Sequence, residues 1–138
     1  VISVMSNILP GPIQRLTELL NADKTQEAEK LVHSMAPLFS CVGVNTIENT
    51  PYGDVECKAR NPLAVKSLMN ILGMPSGPTR RPLGKMTNKG INVVLDAARE
   101  VQKNDASLLS PISDFFNVDI DARLANEGLV QGLVYETY

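Results

Sequence analysis

The sequence has a single histidine and two cysteines in 138 residues. A metal site built on paired imidazoles is thereby excluded, and His33, set among Leu31, Val32 and Met35, reads as a packing or surface hydrogen-bonding residue. Cys41 and Cys57 are too few for a disulfide scaffold, and no asparagine begins an N-x-Ser/Thr sequon. Nothing marks the chain as secreted, so both thiols are expected free unless a hairpin sets them face to face. Excess basic charge is missing too: the formal net charge is −2, which gives no electrostatic reason for a nucleic-acid or anionic-membrane partner. No apolar run approaches the roughly 20 residues that span a bilayer, and the opening VISVMSNIL lacks the basic flank of a signal peptide.

What is present is mostly helical periodicity with clear punctuation. Residues 1–6 are rich in valine and isoleucine and fit a buried strand, broken by Pro10, Gly11 and Pro12. A helix follows over 12–21, with Ile13, Leu16, Leu19 and Leu20 on its apolar side. Asp23 and Gln26 have capping-box spacing ahead of a second helix over 24–39, striped by Ala28, Leu31, Val32, Met35, Leu38 and Phe39, with Pro37 near its end. Residues 40–60 change texture. There VGVNTIEN and DVECKAR flank TPYG, whose proline and glycine suit a type I turn, so a hairpin or extended loop is expected.

Asn61 is placed to cap, and Pro62 to open, a short helix with a mostly apolar face of Leu63, Ser67, Leu68, Ile71 and Leu72. Gly73 offers a left-handed end and Pro75 forbids continuation. A further helix is expected over 87–102 along Ile91, Val94, Leu95, Ala98 and Val101, with Gly90 weakening its first turn. Beyond Asn104, Val118, Ile120 and the closing GLVYETY read as short strands, with Pro111 and Gly128 as turns.

Four strings in this order, VISV at 1–4, NPLAVK at 61–66, Leu72 with Gly73, and RRPL at 80–83, resemble the dihydrodipicolinate synthase family, lyases that form a pyruvate Schiff base on a TIM barrel. The resemblance runs from residue 1 to about residue 103. It implies a C-terminal fragment of an α/β TIM barrel that is mainly α: the last barrel strand, its helix and a C-terminal helical domain. Residues 1–22 would be the strand and helix, 23–103 the helical domain with an insertion at about 40–60, and 104–138 a C-terminal extension resembling the tail of plant enzymes. A complete barrel needs about 250 residues, whereas this chain has 138 and begins at Val1. A longer parent is expected, because a lone barrel strand would leave both its edges unpaired.

The implied reaction condenses pyruvate with L-aspartate 4-semialdehyde on a lysine, in lysine biosynthesis. The implied enzyme is a homo-oligomer, tetramer or dimer, of the cytoplasm or plastid stroma, without cofactor. Another lyase of the superfamily, such as N-acetylneuraminate lyase, and a non-catalytic helical assembly module are the alternatives.

A Schiff-base lysine must be desolvated enough to hold a neutral amine. The resemblance places it on the sixth strand, upstream of everything matched here, so no catalytic residue is expected in this chain. Lys66, inside NPLAVK, reads as a packed stem with an exposed ammonium. Tyr52, Tyr135, Tyr138, Arg80 and Arg81 do not match the family's proton relay or carboxylate-binding residues, and the two arginines are expected in tertiary ion pairs. One substrate-binding candidate carries over: Ile2 of VISV, whose backbone carbonyl faces the pyruvate pocket in relatives. Filling the barrel core is the other reading of that residue. Asp114, Asp119 and Asp121 do not complete an EF-hand and are expected to be solvated, so no metal site is expected. Residues 73–78, GMPSGP, follow a helix and lack the Gly-Lys-Ser/Thr ending of a phosphate loop, so they read as a turn.

Overall fold

Proline in the first turn of a helix forfeits no hydrogen bond, so PGP at residues 10–12 can start a helix as readily as delay one. In the computed structural model, which describes residues 2–137, helix α1 spans Pro10–Asn21. It turns back through Asp23, at φ 56°, into α2, Thr25–Phe39. The expected capping box is not made. Lys24 occupies the N-cap position and no side chain caps the helix, because Asp23 supplies the left-handed hinge instead. Val32 and Phe39, read as core, lie at the rim and are 39% and 36% exposed, whereas Ala28, Met35 and Leu38 are buried.

A short turn over Ser40–Val42 leads into an antiparallel hairpin of β1, Val44–Thr50, and β2, Gly53–Ala59. Its register runs from Val44 opposite Ala59 to Thr50 opposite Gly53, joined by Pro51 and Tyr52. One face looks inward, burying Val44 and Glu48, while Ile47 on the other face is 61% exposed. The carboxylate of Glu48 accepts from the Thr46 hydroxyl at 2.8 Å. Cys57 lies opposite Thr46, and Cys41 precedes the hairpin, so the two thiols do not face each other and both are free.

Helices α3, Leu63–Ile71, α4, Asn88–Asn104, α5, Ser110–Phe116, and α6, Ile120–Ala125, complete the chain. The longest of them, α4, packs against α2, α3, α6 and β1. Ile91, Val94, Leu95, Ala98 and Val101 are all buried, as their spacing predicts. Thr87 caps α4 by accepting from the Gly90 N–H at 3.0 Å. A Cβ at Gly90 would lie 2.9 Å from Thr87 Oγ1, so the absence of a side chain lets the cap close.

Helix α3 begins one residue later than expected. Pro62 holds the N-cap position with no side-chain cap from Asn61, and the Leu63 N–H finds the Arg60 carbonyl at 2.9 Å instead. Its other end follows the expectation. Gly73 is at φ 93°, its N–H donates to the Asn70 carbonyl at 3.1 Å, and the Met74 N–H donates to the Met69 carbonyl at 2.8 Å. These two bonds make a Schellman motif. The carbonyls of Ile71 and Asn70 are then taken by Arg123 of α6, through Nε at 2.6 Å and a terminal nitrogen at 3.0 Å.

Two expected sets of strands are not formed among the described residues. The strand over residues 1–6 is not formed among the described residues, and its first residue, Val1, lies outside them. Ser3 is extended, but Val4–Asn7 wind into a 3-10 turn that buries Met5. The described residues contain no strand beside it to complete a ladder. The C-terminal strands fail as well, because side chains cap helices there. Asp119 accepts from the Ala122 N–H at 2.9 Å to open α6, Asn117 at φ 50° ends α5, and Pro111 sits in the first turn of α5 instead of in a loop. Of GLVYETY, Val134 forms a single parallel bridge with Met86, and Tyr138 lies outside the described residues.

Thr87→Ala is expected to lower stability by about 1 kcal/mol, and Arg123→Met by about 2 kcal/mol, since it strips two charge-assisted bonds from α3. Gly73→Ala should cost about 1 to 2 kcal/mol for its left-handed backbone alone, before counting a Cβ placed 3.0 Å from Val118 Cγ1. Urea unfolding followed by circular dichroism measures all three.

Candidate functional site

The NPLAVK segment and the loop after α3 form one unit built by hydrogen bonds. Proline at 75 and 78 removes two backbone donors, so the loop is held from the helix side. Lys66 Nζ donates to the Pro78 carbonyl at 2.9 Å, Asn70 Nδ2 to the Gly77 carbonyl at 3.1 Å, and Ser76 Oγ to the Lys66 carbonyl at 2.7 Å. Thr79 Oγ1 then donates to the Gly84 carbonyl at 2.7 Å. Between helix and loop lies a cleft of about 250 Å³ bordered by Lys66, Ser67, Asn70, Thr79 and Lys85. Residues 73–78 are thus a turn clamped by side chains of α3, as their punctuation predicts. Lys66 is one of the clamps, its ammonium spent on a carbonyl.

The other sequence-predicted residues lie apart from this unit. Ile2 is fully exposed, in the non-helical residues before the first turn. Tyr52 stands at the hairpin tip, 98% exposed, while Tyr135 approaches Gly84 so closely that a Cβ on that glycine would meet the phenol oxygen. Arg80 and Arg81 are exposed, and neither makes an ion pair among the described residues, correcting the expectation that they would. On an exposed turn, water competes with any carboxylate for them. His33 is exposed on α2, beside an apolar groove of about 190 Å³ that includes Leu16, Leu20 and Val32.

A cavity of about 690 Å³ opens between the end of α4, α5 and α6 and is edged by Asp114, Asp119 and Asp121. Those carboxylates are exposed, and Asp119 is engaged as the cap of α6. Among the described residues no group of three or more His, Cys, Asp or Glu side chains is arranged to hold a metal ion. Sequence reasoning missed Arg123, the group that most tightly ties the last third of the chain to α3. Nothing in DARLA distinguishes it from a solvated helix arginine, because its partners lie more than fifty positions earlier.

Against this background the similarities to known proteins are informative. Residues 1–100 match the dihydrodipicolinate synthetase family. The chain therefore belongs to that family. Relatives include a 4-hydroxy-tetrahydrodipicolinate synthase of Methanococcus maripaludis, 34% identical over 86 residues, covering 62% of this chain and 25% of the relative. Another is the enzyme of that name from Methanococcoides burtonii, 28% identical over 101 residues, covering 73% of this chain and 30% of its own. A third, from Methanoculleus marisnigri, is 31% identical over 86 residues, with coverage of 62% and 25%. The chain thus spans about a quarter of the length of the curated relatives it matches. No solved structure matches it. No helix among the described residues is long and apolar enough to cross a membrane.

The two cysteines differ in reactivity for a structural reason. Burial pushes the Cys41 thiol above its usual range, against a smaller opposing effect of its hydrogen bond to Ser40, whereas Cys57 is half-buried on β2. A raised folded-state value means that the stabilisation from keeping Cys41 protonated is complete below the ordinary thiol pKa and is lost as pH rises toward the folded value. At neutral pH a disulfide-exchange reagent should therefore modify one thiol per chain quickly and the second only in denaturant. Peptide mapping should place the fast site at Cys57.

Proposed function

We propose that this chain is the C-terminal scaffold of a 4-hydroxy-tetrahydrodipicolinate synthase that condenses pyruvate with L-aspartate 4-semialdehyde. The observation that carries the reading is the family match over residues 1–100, which contains both NPLAVK and RRPL, together with relatives that bear this enzyme's name. In this reading a lysine upstream of residue 1 adds to the ketone carbon of pyruvate and expels water, and the resulting imine loses a proton to become the carbon nucleophile. Residues 1–22 would complete a barrel and its outer helix, with the Ile2 carbonyl bordering the pyruvate pocket. Residues 23–103 would form the helical domain, the hairpin being its insertion, and 104–138 an extension.

Within that scheme Lys66 positions a loop and takes no part in the chemistry. Its engagement with the Pro78 carbonyl supports this division, since the bond holds the side chain against the loop after α3.

Borohydride trapping with pyruvate, read by intact mass and peptide mapping, tests the assignment. The polypeptide that includes the upstream family region should gain one reduced pyruvate adduct, on a lysine outside residues 1–138, and should retain it in the Lys66→Met variant. The chain alone should gain none. An adduct mapped to Lys66, or none on the longer polypeptide, would sink the reading.

A further inference from the structure

The hairpin has two edges, and the protein covers one of them. On the β1 side the Ile47 carbonyl accepts from Lys89 Nζ of α4 at 2.5 Å. On the β2 side, among the described residues, no main-chain group of residues 54–59 bonds outside the hairpin. The short turn determines which groups these are. Thr50 and Gly53 flank it as a hydrogen-bonded pair, so Glu48–Val55 and Thr46–Cys57 continue the series and the intervening pairs point outward. The outward Ile47 carbonyl, whose partner is Glu56, obeys this alternation. Asp54, Glu56 and Lys58 therefore present their N–H and C=O groups to solvent along the free edge.

An edge of three outward residues can pair antiparallel with a second copy of itself in few registers, because outward groups must meet outward groups. Setting Asp54 opposite Glu56 opposes like charges twice. Centring on Glu56 pairs Asp54 with Lys58 on both sides but opposes the Glu56 carboxylate to its own copy. The third register, centred on Cys57, sets Glu56 opposite Lys58 and Asp54 opposite Arg60 on both sides of the axis, with Val55 against Ala59. Every charged pair is then attractive. All four charged residues are exposed; Asp54, Glu56 and Lys58 lie on the face of the sheet away from the core, and Arg60 follows directly on β2.

We propose that the free edge of β2 is a self-association surface, on which two copies of this chain join antiparallel about Cys57 into one four-stranded sheet. Charges on an exposed edge ordinarily discourage pairing with other strands; here they select a single register with a second copy. The pairing is isologous, and so closes at two copies. It also brings the two Cys57 residues together as a pair without mutual hydrogen bonds, with Cα atoms about 4.5 Å apart. The surface does not depend on the enzymatic reading, since it uses neither Ile2 nor the NPLAVK unit.

Sedimentation of the chain over about a hundredfold range of concentration should show a monomer–dimer equilibrium. Lys58→Glu turns two attractions into repulsions and should weaken association about tenfold or more. Adding Glu56→Lys restores opposite charges in the same register and should return the affinity. Within each hairpin the partners of these positions, Ile47 and Asn45, are uncharged, so the monomer is little affected. A short bis-maleimide should link two copies, and Cys57→Ser should abolish the link, because Cys41 is buried. A chain that stays monomeric, an association unmoved by Lys58→Glu, a double variant that stays dissociated, or a link that survives Cys57→Ser would each overturn the proposal.

Discussion

Carbonyls left open at the end of a helix are costly to enclose, and the C-terminus of α3 is where this protein meets that constraint. Helix α3 is nine residues long and buried on most of its circumference, at Leu63, Ala64, Val65, Ser67, Leu68 and Ile71, so its end cannot simply be left to water. The left-handed Gly73 satisfies two carbonyls through the chain's own next two N–H groups, and Arg123 satisfies a further one while reinforcing Asn70. That arginine also carries a positive charge to the negative end of the helix dipole. Because one guanidinium does this from α6, the geometry of α3 and the docking of the last third of the chain are set together.

The same economy recurs at α4. Arg99 donates to the Leu124 carbonyl at 2.8 Å, so the end of α6 is closed from α4 as the end of α3 is closed from α6. At its other end α4 starts with Thr87, whose hydroxyl lies 3.3 Å from that of Thr46 on the hairpin. Glu48 accepts from that same Thr46, which holds a buried carboxylate near the N-terminus of α4, where negative charge is favoured. The hairpin is thus anchored by polar contacts at a helix start more than by a broad apolar face.

Helices α1 to α4 and the hairpin were legible in the sequence because their apolar residues recur at fixed periods and because Gly73, Pro75 and the TPYG turn have strong local preferences. The α4 stripe illustrates this, each of its five predicted residues being buried. Residues 105–137 were misread, and residues 1–6 form no strand among the described residues. Short runs of valine and isoleucine fit strand and helix alike; residues 1–6 have no neighbouring strand among the described residues, and around 117–122 the left-handed Asn117 and the Asp119 cap, local polar signals outweighed by the β-branched residues beside them, end one helix and open the next. Of the candidate site, the turn character of 73–78 and the structural role of Lys66 were readable. Lys66's partner was not, because the Pro78 carbonyl is brought back only by the folding of the loop.

The family match ends at residue 100, yet the structure draws no boundary there. The strand-like bridge between Met86 and Val134 returns the end of the chain to the segment just before α4, and Tyr135 donates its N–H to the Met86 carbonyl at 3.0 Å. Its ring then occupies the space over Gly84, which has a left-handed backbone at φ 57° and no room for a Cβ. Two positions fifty-one apart in sequence therefore share one volume. During divergence a side chain at 84 requires the ring at 135 to swing aside or be absent, so the two histories should be correlated although only one lies inside the matched region.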